Sequence, residues 1–345
     1  MVLVLENKDC FFHRNSMLCI LWIRVSSYLD FVLLFFVRKR INTEGDILMF
    51  IDIHAHAYRI KPAAFNFCTT KELLDEFDKL KIDMGVVLPI VNPEIYLPQA
   101  VEDVIEMSEQ YPDRIIPYCN VDPRAIANSP QADLGSVIRK YKEKGCKGIG
   151  EVMPTMEILN PMVLNLFAHA ESEGLPLVYD GSGQKGGDFG LYDDPGLPQL
   201  ECALQQFPNL KIFGHGPAFW SEIGKLHTIA ERAVYMAPDG NQFCNLPKGP
   251  IEEEGAVPKL FRKYPNLHGD LSDFTALNAI ARDVDYGPRF LTEFQDRLYF
   301  GTDMCFPGMS VDLCELLISW KETGKISKTV FQKIARDNAV KLLNL

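Results

Sequence analysis

Two histidines one residue apart, His54 and His56, stand in the segment IDIHAHAY. Side chains alternate along an extended strand, so both imidazoles point the same way and can share one metal ion through ring nitrogens. The competing reading is two unconnected histidines. What favours a metal is the company they keep, because other ligand types close later apolar segments. Asp303 ends RLYFGTD, where one carboxylate oxygen can ligate an ion and the other can take a proton from attacking water. An N-cap role is the weaker reading there, since Pro307 delays the next helix. His215 ends KIFGH and can act as acid or base, or polarise a substrate carbonyl. Glu151 ends GIGE and can bridge two ions, bind substrate or cap the next segment. Asp180 ends LVYD and offers a further carboxylate ligand. Asp270 and Ser272 close another segment, placed to orient His215 or to touch substrate. Arg59, Lys61 and Arg289 are candidate contacts for an acidic substrate. His268 is expected in the interior one layer below these groups.

Such residues act together only if a fold gathers segment ends on one face. From residue 49 onward, short apolar runs rich in β-branched residues alternate with longer amphipathic stretches. Strands are predicted at 49–54, 84–91, 114–121, 146–151, 176–180, 210–215, 267–271 and 297–303. Helices are predicted at 70–81, 97–110, 131–144, 160–174, 196–207, 219–233, 273–295 in pieces, 309–322 and 327–344. Thr70 and the pair Asn160-Pro161 are good helix-start residues. This alternation predicts an α/β fold of the (β/α)8 TIM-barrel type, in which C-terminal strand ends converge on one mouth. An open doubly wound sheet is the alternative, but no G-x-G-x-x-G follows the first strand. Residues 235–258, rich in Gly, Pro and Asn, read as an insertion between strands six and seven, a lid or a contact between copies.

The net charge of the 345 residues is -11. Phosphate binding needs clustered Lys and Arg, so nucleic acid is excluded as a partner. The nine cysteines are scattered and odd in number, with no C-x-x-C pair. They read as reduced thiols of a cytoplasmic protein, not as a disulfide framework. Residues 1–48 differ from the rest. The stretch 17–37 is apolar, but Arg24 and Asp30 inside it are costly in hydrocarbon. Arg38-Lys39-Arg40 stands where a signal peptide would have small residues. Glu44-Gly45-Asp46 can be encoded by a purine-rich string of ribosome-binding type just before the Met49 codon. We therefore expect 1–48 to be a non-native extension, with a weak anchor as the alternative. The barrel domain is expected at 49–345, with no membrane role.

The segments IDIHAHAY, YPDRIIPYCNVDP, GLPLVYDGSG, FPNLKIFGHGPAFW, YPNLHGDLS and RLYFGTDMCFP occur in this order over residues 50–307. In this respect the chain resembles the amidohydrolase-related TIM-barrel family that includes aminocarboxymuconate-semialdehyde decarboxylase and related metal-dependent hydrolases. The resemblance implies that His54, His56 and Asp303 are metal ligands and that His215 is catalytic. The family usually has a metal-binding histidine on strand five, where this chain has Asp180. A carboxylate there shifts preference from zinc toward harder ions such as manganese. Zinc is expected, with manganese as the alternative. The implied activity is hydrolysis of a small-molecule ester, amide or lactone. Non-oxidative decarboxylation of an aromatic or muconate-type acid uses the same residues. A catalytically weak binding barrel is the third reading, motivated by Asp180. A homodimer is compatible with all three.

Overall fold

The computed structural model describes residues 50–345, apart from 64, 96–98, 187–188, 233 and 237–241. The expectations for residues 1–48 and for a start at Met49 lie outside the described residues, as does part of the predicted insertion.

All eight predicted strands are present. They are β1 (Phe50–Ala55), β2 (Ile82–Val87), β3 (Ile115–Pro117), β4 (Ile149–Val152), β5 (Leu177–Ser182), β6 (Ile212–His215), β7 (Leu267–Asp270) and β8 (Leu298–Tyr299). Every residue of β1 is buried, as in β4, β5, β6 and β7. Strands covered on both faces belong to a parallel sheet wrapped in helices. The pairs β1–β2, β2–β3, β4–β5, β5–β6, β6–β7 and β7–β8 are all parallel. Backbone contacts join the two resulting sheets at both seams. Cys119 bridges Ile149 between β3 and β4, and Ala55 bridges Met304 between β1 and the segment after β8. At that second seam Ile53 N–H donates to Phe300 O at 3.1 Å, and Asp303 N–H donates to His54 O at 2.8 Å. The architecture is the expected (β/α)8 barrel.

Inside the ring, Ile51, Ile53, Val86, Ile116, Val178 and Phe213 form one apolar cluster, which Leu343 joins from the C-terminal helix, Asn338–Leu343. A larger cluster lies between strands and helices. The helices are α1 (Thr70–Leu80), α2 (Val101–Gln110), α3 (Leu134–Glu143), α4 (Pro161–Glu173) and α5 (Pro198–Gln206), then α6 (Pro217–Trp220), α7 (Ala256–Lys263), α8 (Asp273–Ala281), α9 (Tyr286–Glu293) and α10 (Asp312–Glu322). The first is capped by Thr69, one residue before the predicted cap, in a reciprocal pairing with Glu72. Asn160 caps α4 with Pro161 in its first turn, as predicted.

The main departure comes after β6. The predicted helix 219–233 is reduced to α6, a short 3-10 turn at Ser221–Ile223 and another at Ile229–Arg232. Gly224 is extended and bridges Glu254, which ends the helical run. The helix that packs between β6 and β7 is instead α7, which starts inside the predicted insertion. Its buried residues Val257, Leu260 and Phe261 have helical spacing. Among the described residues, no helix is long and apolar enough to cross a membrane. Six cysteines there stand outside any disulfide.

Candidate metal centre

Simple alternation does not deliver the histidines. Asp52 pairs with Gly85 and Ala55 with Val87, so three steps of β1 match two of β2. Below this slip Ile51 and Ile53 fill the barrel interior. Beyond it, His54 and His56 take the inward positions. A second slip lies in β4, where Ile149 pairs with Leu177 and Val152 with Tyr179. Glu151 falls within it. Extra residues of this kind re-aim a side chain, and they cluster beside active sites.

His54 Nε2 and His56 Nε2 lie 3.1 Å apart. Glu151 Oε2 is 3.5 Å from the first and 3.4 Å from the second. Asp303 Oδ1 is likewise 3.5 Å and 3.4 Å away. Donors at ~2.0–2.1 Å from a tetrahedral ion stand roughly 3.3 Å from one another. Each carboxylate oxygen therefore stands at donor-shell distance from both imidazole nitrogens. The electrostatics agree. Burial opposes a charged His54, yet Asp270, Glu151 and Asp303 together hold its imidazole well above the ordinary range. Burial also opposes a charged His56, but Asp303 and Glu151 raise it to about 9. Burial would raise Glu151, and the histidines around it hold it below the usual carboxylate range instead. A cluster that draws protons onto buried imidazoles equally favours a cation between them.

The supporting contacts are specific. His54 Nδ1 meets Asp270 Oδ2 at 2.6 Å, and His56 Nδ1 donates to Leu88 O at 2.9 Å. Both ring orientations are thereby fixed with Nε2 toward the centre. Asp52, fully buried, accepts from His54 N–H at 2.9 Å and from Thr302 N–H at 3.0 Å. It ties β1 to the segment carrying Asp303, and burial pushes its carboxyl up to about 7. His215 is held by Ser272, with Oγ 3.1 Å from Nδ1. Its Nε2 faces Glu151 Oε1 at 3.5 Å and Asp303 Oδ2 at 4.0 Å. Asp303 adopts a left-handed backbone, φ 51°, a conformation that aspartate tolerates better than most residues. Its helix cap reading is removed, because α10 begins at Asp312.

Several expectations change. Asp180 is buried but groups with Glu151 and His215, not with His54 and His56; Glu151 completes the histidine set instead. Gly216, at φ +83°, gives Asp180 its place, since a Cβ there would stand 1.8 Å from Asp180 Oδ1. Asp270 is not a substrate contact. It is fully buried behind His54. Arg59 is not one either. It is half-exposed and paired with Asp103 at 2.8 Å. Lys61 is paired with Glu72, and Arg289 stacks over Tyr286 on the surface. His268 lies within the barrel, stacked on Phe213 as expected, and burial lowers its pKa to about 3. Sequence reasoning missed Asp52, whose one signal was its place two residues before His54.

The centre opens into a cavity of about 750 Å³, bordered by His56, Glu151, Asp180, His215, Asp303 and Cys305 at its polar end. A barrel whose strand ends gather two histidines and two carboxylates in this way is of the metal-binding TIM-barrel class. Comparison with known families makes the assignment narrower. The family model described as Amidohydrolase matches residues 51–345, and the chain belongs to that family. It is thus an amidohydrolase-superfamily enzyme, and the family is metal-dependent. Among solved structures, it is similar to an uncharacterised TIM-barrel protein from Bordetella bronchiseptica, with 17% identity and a TM-score of 0.56 over 86% of this chain and 99% of that one. It is also similar to a probable 2-pyrone-4,6-dicarboxylic acid hydrolase from Acinetobacter baumannii, with 14% identity and a TM-score of 0.53 over 86% and 99%. A third is 5-carboxyvanillate decarboxylase from Sphingomonas paucimobilis, with 16% identity and a TM-score of 0.52 over 86% and 99%. At these identities the likeness is one of fold. No curated protein matches the sequence.

Proposed function

We propose that the protein is a zinc-dependent hydrolase that cleaves an ester, amide or lactone bond of a small molecule. The observation that carries this is the double role open to Asp303. One of its oxygens sits in the donor set, while the other turns toward His215 Nε2 at the cavity. A base beside the ion serves the activation of water, which hydrolysis needs and decarboxylation does not.

His54, His56, Glu151 and Asp303 would hold the ion, and a mixed set of imidazoles and carboxylates suits zinc, with manganese the harder alternative. A divalent ion held there supplies Lewis acidity, which acidifies a bound water and polarises the scissile carbonyl. Asp303 takes the proton as the water oxygen bonds to the carbonyl carbon. That proton passes to the leaving oxygen or nitrogen as its bond to carbon breaks. With Ser272 donating to Nδ1, His215 carries its proton on Nε2 and donates it as a hydrogen bond to the developing oxyanion. The unpaired cysteines fit a reducing compartment, the cytoplasm.

The test is a panel of aryl esters, lactones and anilides with the zinc-loaded protein, beside the double variant His54→Ala/His56→Ala. Metal-dependent hydrolysis that the double variant lacks supports the proposal. Release of carbon dioxide from hydroxybenzoates, without hydrolysis of any ester, lactone or anilide, would replace it by a carboxy-lyase.

A further inference from the structure

We infer that the substrate is an uncharged compound with an aromatic or branched aliphatic body, and that the cavity rejects molecules carrying a free carboxylate. This rests on the hydrolase reading of the same site and adds the substrate class. The carrying observation is the chemistry of the wall. The acidic side chains bordering the cavity are Glu151, Asp180, Asp273, Asp303 and Asp312, and among the described residues no Lys or Arg borders it. Every Lys and Arg of residues 50–345 is described, so the omitted positions in that span supply no cation.

Basic residues do occur on the loops after the strands, but none of the described ones borders the cavity, and several are engaged. Lys61 pairs with Glu72, Arg124 with Asp122 and Glu94, Lys185 with Glu157, and Lys225 with Glu253. Arg232 is buried against Glu222. A dipositive ion would balance Glu151 and Asp303. Asp270 is matched with His54 behind the centre. Asp180 and Asp312 add two further carboxyl groups to the wall, while burial and the neighbouring Asp303 raise the Asp273 carboxyl to about 8. A distal carboxylate would lose its water, meet like charge and find no cation.

The rest of the wall is apolar. Ile90, Ile95, Met153, Phe189 and Leu277 line it. Phe67 packs on Phe306 with ring centroids 4.9 Å apart, and Phe65 meets Phe67 at 6.3 Å. Phe65, Phe274 and Phe306 are 51%, 48% and 40% exposed at the entrance. Large apolar groups left open around a polar centre mark a binding site for an apolar partner. Ring faces at the rim favour an aromatic one.

The test uses two fluorescent probes with one ring system, neutral N-phenyl-1-naphthylamine and its sulfonated relative 8-anilinonaphthalene-1-sulfonate. Each is titrated into the full chain, with and without zinc, and into Phe274→Arg. Position 274 lies on the exposed first turn of α8, so the fold tolerates the change. We expect saturable binding of the neutral probe and about tenfold or greater weakening for the anionic one, from unpaired like charge in a part-buried site. Phe274→Arg should strengthen the anionic probe by about fivefold or more without improving the neutral one. Anionic binding as tight as neutral binding in the wild type would overturn the inference. So would absent neutral binding, or probe affinities that Phe274→Arg leaves unchanged. Zinc content and ester turnover, read separately, report on the hydrolase proposal, and either can fail while the probe result stands.

Discussion

The substitution Asp270→Asn asks whether the buried carboxylate behind His54 tunes the metal centre. Asp270 Oδ2 lies 2.6 Å from His54 Nδ1, and Oδ1 accepts the Ser272 N–H at 3.0 Å. Asparagine keeps the size and, with its oxygen toward His54, keeps that hydrogen bond, while its NH2 then faces the Ser272 N–H. What it loses is the charge that strengthens the bond to the imidazole. Hydrogen bonds to charged groups contribute about 1.5–3 kcal/mol, against ~1 kcal/mol for neutral ones. The difference of about 0.5–2 kcal/mol corresponds to roughly 2- to 30-fold weaker zinc binding. That sits at the lower end of the ~10–100-fold effects known for partners of metal-bound histidines. Competition with a chromophoric chelator at fixed pH measures it, with thermal melts to confirm that the variant folds. Unchanged zinc affinity would refute the orienting role. Complete loss of zinc from a folded variant would place Asp270 on the ion itself.

Three further outcomes are expected from the geometry. Glu151→Ala should lower zinc affinity by about tenfold or more, since a ligand is lost, while Asp180→Ala should lower it less; a chelator titration in which Asp180→Ala is the weaker binder would reverse the assignment. His215→Asn should retain stoichiometric zinc yet lose about 100-fold or more in kcat, as expected for an oxyanion donor or acid; elemental analysis showing lost metal would make His215 a ligand. In metal-free protein, the folded-state pKa of His56 is raised to about 9, above its ordinary 6.5. Its stabilisation is fully present below about pH 6.5 and is lost as pH rises through about 9, by at most ~3 kcal/mol. Melting temperatures of chelator-treated protein should therefore fall over that window, and a flat profile would show that the centre does not hold protons in the absence of metal.

The sequence by itself determined the barrel and the identity of its mouth. Eight apolar runs such as FIDIHA and KIFGH can be satisfied only by strands buried on both faces, and the amphipathic stretches between them can bury one stripe only against such a sheet. His54, His56, His215 and Asp303 were legible because each ends a strand, and strand ends of a barrel must converge. The helix α7 was legible in principle, but Gly255 and Pro258 made its first turn look like loop. Only the tertiary structure decided which carboxylate joins the histidines. Asp180 and Glu151 end neighbouring strands and the sequence favoured Asp180 as the ligand, but the register slip in β4 turns Glu151 toward the centre. A slip of this kind comes from pairing between strands, so one strand's own residues do not encode it. The same holds for Arg59, whose partner Asp103 arrives from α2. It holds too for Asp270, which meets His54 across 216 positions of chain. Composition shows which charges a protein has, and packing alone shows that, among the described residues, no basic one borders the cavity.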